Sequence, residues 1–142
     1  MKKILIAYDG SKYANKALFK GSEIAEKFGS DLKILYVIDD TPYRKGLIEA
    51  DAAFQKLKEA VLEKSQEILE KGLKNLENFS GKIDSAIEFG HPAHKIIDVA
   101  EKEEMDLIVM SNRGLGSFQK VMLGSVSHKV LSHSKVPVLI VK

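Results

Sequence analysis

Ser111, Arg113, Gly114, Gly124, Ser125 and Ser127 fall in one short segment, VMSNRGLGSFQKVMLGSVSHKV (Val109 to Val130). That segment holds three of the chain's ten glycines and four of its serines. A turn needs one or two glycines, so the excess asks for a chemical reason. Glycine lets backbone amides approach an anion closely, and a helix N-terminus adds free donors and partial positive charge. Gly114 and Gly124 are separated by nine residues, and Ser125-Val126-Ser127 follow where a helix begins. Two amide-rich corners, each with hydroxyl donors, suit successive phosphates of one ligand. Arg113 adds a charged fork. A plainer reading, in which the glycines serve only turns and a helix start, is equally open on chemistry alone.

Familiar phosphate fingerprints do not match. GLGSFQ lacks the third glycine of a dinucleotide loop, and no Gly-x4-Gly-Lys-Ser/Thr occurs anywhere. His91-Pro92-Ala93-His94 reads as a helix start. His128 and His133, five apart, have no acidic partner nearby in sequence, so a metal site is not expected from the histidines. Asp39 and Asp40 read as a solvated loop. Asp9 is the most informative carboxylate. Its place after the first apolar run suits ribose contact or a water held to Mg²⁺, with helix capping as the competing role. Phosphoryl transfer needs a positioned base or water-orienting group, and none accompanies the proposed phosphates. The expectation is a binding protein rather than a dedicated catalyst.

These residues are positioned by an alternation of strands and helices. KILIAY (Lys3 to Tyr8), KILYVI (Lys33 to Ile38), Ile83 to Phe89, DLIVM (Asp106 to Met110) and VPVLIVK (Val136 to Lys142) read as strands. Ser11 caps a first helix whose face is Ala14, Ala17, Leu18, Gly21, Ile24, Ala25 and Phe28, and Gly29 ends it. A long helical segment runs from about Leu47 to Phe79, along a seam of Phe54, Leu57, Val61, Ser65, Ile68, Gly72, Leu76 and Phe79. Pro92 opens a third helix with Ala93, Ile96, Ile97 and Ala100 inward. A short fourth runs through Val126, Val130 and Leu131. This pattern predicts a single α/β, doubly wound (Rossmann-like) domain with a five-stranded parallel sheet and about four helices. The two unusual loops follow strands 1 and 4. If they flank one crevice, the order is 3-2-1-4-5 rather than 2-1-3-4-5.

Composition sets the surroundings. The chain's 142 residues, 44% apolar and 30% charged, suit one globular domain spanning 1–142. Net charge is 22 − 20 = +2, which points to neither a nucleic-acid groove nor a membrane face. No cysteine is present, so disulfide and thiolate chemistry is excluded. Asp9 interrupts the N-terminal apolar run too early for a signal peptide, and no window approaches a membrane span. A cytoplasmic protein is expected.

The sequence resembles the universal stress protein family along essentially its whole length. ILIAYDGS, ILYVID, GHPAHKIIDVAEKEEMDLIVMSNRGLG and LGSVSHKVLSHSKVPVLIVK carry the likeness. The family's nucleotide-binding branch carries Gly-x2-Gly-x9-Gly-Ser/Thr. Gly114, Gly124 and Ser125 fill its later positions, while Ser111 replaces the first glycine. The resemblance implies ATP binding with Mg²⁺ and a regulatory, stress-response role. It places Ala7, Tyr8 and Asp9 beside adenine and ribose, and Val37 against the base. Met110, Ser111, Arg113 and Gly114 then line ribose and phosphates, while Gly124, Ser125, Val126 and Ser127 cradle the phosphate chain. It also implies a homodimer through the last strand. The apolar edge Val138–Val141 independently invites pairing. A slow ATPase switch, and an interaction module that has lost the nucleotide, are the alternatives. The downstream protein partner is not specified by the sequence.

Overall fold

The computed structural model describes residues 1–41, 52–113 and 123–142. Strands β1 (Lys3–Ala7), β2 (Asp31–Asp39), β3 (Ile83–Gly90), β4 (Leu107–Ser111) and β5 (Val138–Val141) form one parallel sheet. Its order is β3-β2-β1-β4-β5, as the two loops predict. Helices α1 (Lys12–Phe28), α2 (Ala52–Lys74), α3 (Pro92–Lys102) and α4 (Ser125–His133) cover it.

The central strands are apolar because both their faces are covered. Strand alternation sends Ile4, Ile6 and Tyr8 into one core layer with Ile34, Tyr36, Ile38 and Val109, against α1 and α2. Leu5, Leu35, Ile108 and Met110 enter the opposite layer with Ala93, Ile96 and Ala100 of α3 and Val130 of α4. Each fully buried Ile or Leu contributes roughly 1.5–3 kcal/mol relative to exposure. At the other end of the sheet, Asp106 accepts the Lys2 and Lys3 amides at 2.7 and 2.9 Å, pinning the start of β1. Lys33 pairs there with Glu103 at 2.7 Å and Asp84 at 3.1 Å. Burial would push its ammonium down, but the two carboxylates outweigh burial and hold it above the ordinary value.

Expectations for two of the helices are met only in part. The expected start of the long helix near Leu47 lies outside the described residues, and its end is Lys74 rather than Phe79. From Gly72 the chain tightens into i→i+3 bonds, Leu76 to Leu73 at 2.9 Å and Phe79 to Leu76 at 2.9 Å. Along α2 the buried residues are Ser65, Leu69 and Gly72, and Leu57 is exposed. Phe28, expected on the buried face of α1, is 62% exposed. Gly29 at φ 63 closes α1 immediately after it, with Ser30 N–H donating to Ala25 O at 2.8 Å. The ring therefore lies past the covered layer.

Candidate functional site

The β1 tip is built around one tight turn. Gly10 adopts φ +82, a conformation that favours glycine, and a Cβ there would run into Ile68 of α2. Asp9 Oδ1 accepts the Ser11 N–H at 2.9 Å. Ser11 in turn caps α1, its hydroxyl accepting the Ala14 N–H at 3.0 Å. The cap is thus Ser11, and Asp9 shapes the turn before it.

Tyr8 and Ala7 face opposite layers. Tyr8 is buried beneath α2, where a Cβ on Gly72 would stand 2.7 Å from its ring. Its hydroxyl donates to Asn15 Oδ1 at 2.9 Å. Burial, then the charges of Asp9 and Tyr36, push its phenol above the ordinary value. Ala7 instead joins Val37 and Val126 as half-buried neighbours of the core layer that holds Met110. Four of the expected residues therefore share one apolar wall, and Tyr8 stands on the other side of the sheet.

The second half of the site is a knot of backbone bonds at the β4 tip. Ser111 is buried, and its hydroxyl donates to Arg113 O at 2.5 Å. Its carbonyl accepts the hydroxyl of Ser127, itself buried, at 2.7 Å. Gly124 N–H donates to Asn112 O at 2.7 Å, and Asn112 N–H donates to Val141 O at 3.1 Å. Gly124 is the N-cap of α4, with φ −61, ψ 157 and no side-chain cap. Glycine is favoured there by proximity, not by φ. A Cβ would lie 3.0 Å from Asn112 O and 3.7 Å from both Arg113 Cα and Ser127 Oγ. Ser125 is exposed in the first turn. Gly114 lies outside the described residues.

The register pairs Ile6 with Val109, so β1 and β4 leave the sheet side by side. Arg113 reaches from the β4 tip to α1, its guanidinium carbon 5.5 Å from the Tyr13 ring centroid. Lys12 Nζ stands 5.1 Å from the same centroid. Sequence reasoning passed over Lys12 and Tyr13. They match no motif, and their partner lies a hundred residues away in the chain. Chemically, the described residues offer an apolar wall, a helix N-terminus without a side-chain cap, and two cations gathered on the Tyr13 ring. The first-turn amides of α4, which carry no side-chain cap, are the groups here suited to an anion.

His91 occupies the N-cap of α3 but makes no side-chain capping bond. Its Nε2 stands 3.3 Å from Lys129 Nζ, and its ring centroid is 4.4 Å from that of His94. No group of three or more His, Cys, Asp or Glu side chains able to hold a metal occurs among the described residues. No helix among them is long and apolar enough to cross a membrane.

Comparison with known proteins gives a family profile described as "Universal stress protein family", matching residues 1–142. The chain is similar to the universal stress protein MJ0531 of Methanocaldococcus jannaschii, 36% identical over 141 residues, covering 99% of this chain and 82% of that one. The solved structure of MJ0577, from the same organism, superposes with a TM-score of 0.88 at 30% identity, over 99% of this chain and 95% of that one. A universal stress protein crystallised with cAMP shares the fold, with a TM-score of 0.74 at 23% identity over 99% and 97% of the two chains.

Proposed function

Because the chain belongs to the universal stress protein family, we propose that it binds an adenine nucleotide, ATP with Mg²⁺, in the crevice between the tips of β1 and β4. The observation that carries this reading is Gly124, an uncapped helix N-terminus where a Cβ would stand 3.0 Å from Asn112 O. A relative of the same fold holding cAMP is consistent with it. The base packs on the wall of Ala7, Val37 and Met110. The phosphates meet the amides of Ser125, Val126 and Ser127, with Arg113 at the edge. Tyr8 acts from beneath, by fixing the β1 tip. Asp9 would hold a Mg²⁺ bound with the phosphates through water, and the ion would neutralise part of their charge.

The role is regulatory. Ser111 and Ser127 have hydroxyls committed to backbone carbonyls, which leaves neither as an activated nucleophile. The protein works as a homodimer joined through the β5 edges, in the cytoplasm.

Calorimetry on a nucleotide-free sample tests the reading. Micromolar binding of ATP with Mg²⁺ is expected, and Gly124→Val should abolish it while the far-ultraviolet circular dichroism stays unchanged. No heat at high micromolar ATP sinks the proposal.

A further inference from the structure

One turn of α2 grips the corner that carries Asp9. Ile68 and Gly72 stand four residues apart, so they share one face of that helix. Ile68 meets Gly10, where an added Cβ would run into Ile68 Cγ2. Gly72 meets Tyr8, where a Cβ would stand 2.7 Å from the ring. Tyr8 and Gly10 are the chain neighbours of Asp9, so α2 holds that residue from both sides. Asp9 has one oxygen spent inside the turn, with Oδ1 accepting the Ser11 N–H at 2.9 Å. The other is the one a ligand or its bound water can take. Burial pushes the phenols of Tyr8 and Tyr36 up, and the Asp9 charge adds to this in both. In Tyr36 a hydrogen bond with Ser65 of α2 works the other way. The Asp9 charge is thus felt in the core layer that α2 covers.

The contact has a form that ordinary apolar burial does not require. In a helix a β-branched residue keeps essentially one χ1 rotamer, so the α2 backbone fixes where Cγ2 lies. Gly10 sits at φ +82 and has no side chain of its own to lock the turn. A rigid methyl against bare backbone supplies that lock. Leucine at position 68 would carry its branch one bond farther out and leave the Cγ2 position empty. We infer that Ile68 and Gly72 are positioning residues of the nucleotide site, one turn of α2 that holds Tyr8, Asp9 and Gly10 so that the Asp9 carboxylate meets the ligand. This inference rests on the nucleotide reading above.

The test titrates ATP with Mg²⁺ into wild type, Ile68→Leu, Ile68→Val, Gly72→Ala and Asp9→Asn, and into Ile68→Leu and Gly72→Ala combined with Asp9→Asn. Thermal melts show that each variant is folded. Asp9→Asn should lose about tenfold in affinity, the scale of one hydrogen bond to a charged group. Ile68→Leu should lose about fivefold where Asp9 is intact and under about twofold in Asp9→Asn, because residues in contact couple and the displaced carboxylate is already gone. Gly72→Ala should show the same split, through a displaced Tyr8 ring. Ile68→Val keeps Cγ2, so it should bind ATP within about twofold of wild type although it melts lower for its lost methylene. Equal losses in both backgrounds overturn the inference and make this turn of α2 a general support of the fold. Wild-type affinity in Ile68→Leu also overturns it. So does wild-type affinity in Asp9→Asn, which leaves the nucleotide site standing without that carboxylate. Failure of wild type to bind ATP overturns both readings.

Discussion

Ser111 stands where the family's nucleotide-binding motif has its first glycine, and the structure gives its hydroxyl a task inside the chain. It donates to Arg113 O at 2.5 Å, closing the turn that carries Arg113, while its carbonyl receives Ser127. A free donor for the ligand is therefore not what serine adds. Removing the hydroxyl leaves Arg113 O without that bond and loosens the β4 tip. The net value of such a bond is about 1 kcal/mol, or roughly fivefold in affinity if the whole loss appears in binding. Ser111→Ala should weaken ATP by that much, and Ser111→Gly by at least as much, because glycine adds backbone freedom. Titration of both variants decides the point. A gain on Ser111→Gly shows that serine obstructs the site. Binding detectable only in that variant favours an interaction module that has lost its nucleotide.

Elements were easier to read from the sequence than the contacts between them. Continuous apolar runs marked the strands, and the two glycine-bearing loops fixed the sheet order, because a ligand crevice requires strands 1 and 4 to be neighbours. The seam through Leu76 and Phe79 survived the end of α2, since i→i+3 turns keep the chain on the same face. That persistence is why a longer helix was expected. The grouping of Lys12, Tyr13 and Arg113 was not legible, because no local periodicity links α1 to the β4 tip. Tyr8 shows a subtler limit: alternation separates it from Ala7, but only the approach of Gly72 reveals a buried ring.

The same scale carries a pH prediction for α3. Burial first, then Lys129 and His94, hold His91 below its ordinary value, with Asp39 and Asp40 pulling weakly the other way. A histidine depressed in the folded state stabilises the fold above its unfolded value of about 6.5, and that share is lost as pH falls through the folded value. Wild-type Tm should thus carry a decline between about pH 7 and pH 5 that His91→Asn lacks. Asparagine also supplies the missing cap of α3, adding about 1 kcal/mol at neutral pH. Thermal melts of both proteins across that range check the sign. An equal slope in the variant removes His91 as the cause.

At the scale of the whole molecule, the sheet order leaves β3 and β5 as its two edges. They are not equivalent. β3, IDSAIEFG, carries Asp84 and Glu88, the kind of charge that discourages pairing, whereas β5, VLIV, carries none and every residue in it is half-buried. An uncharged apolar edge with one row of unpaired backbone groups is best satisfied by a second copy, and two antiparallel Val138–Val141 strands pair about a two-fold axis. The expected species in solution is therefore a dimer. Val138→Lys places a charge in that seam and should yield a monomer by light scattering at the concentration where wild type is dimeric. The described residues of the proposed site come from one chain: Asp9 from the β1 side, Ser111, Arg113 and Gly124 from the β4 side. The monomeric variant should consequently keep its ATP affinity to within about twofold, well under the 1.4 kcal/mol of a tenfold change. Asn112 makes this a demanding comparison, since its N–H holds Val141 at 3.1 Å while its carbonyl holds Gly124 at 2.7 Å. If β5 needs its partner to keep that bond, Val138→Lys will lose ATP as it loses the dimer, and the nucleotide site must then be assigned to the assembly. A wild-type protein that scatters as a monomer removes the β5 pairing altogether.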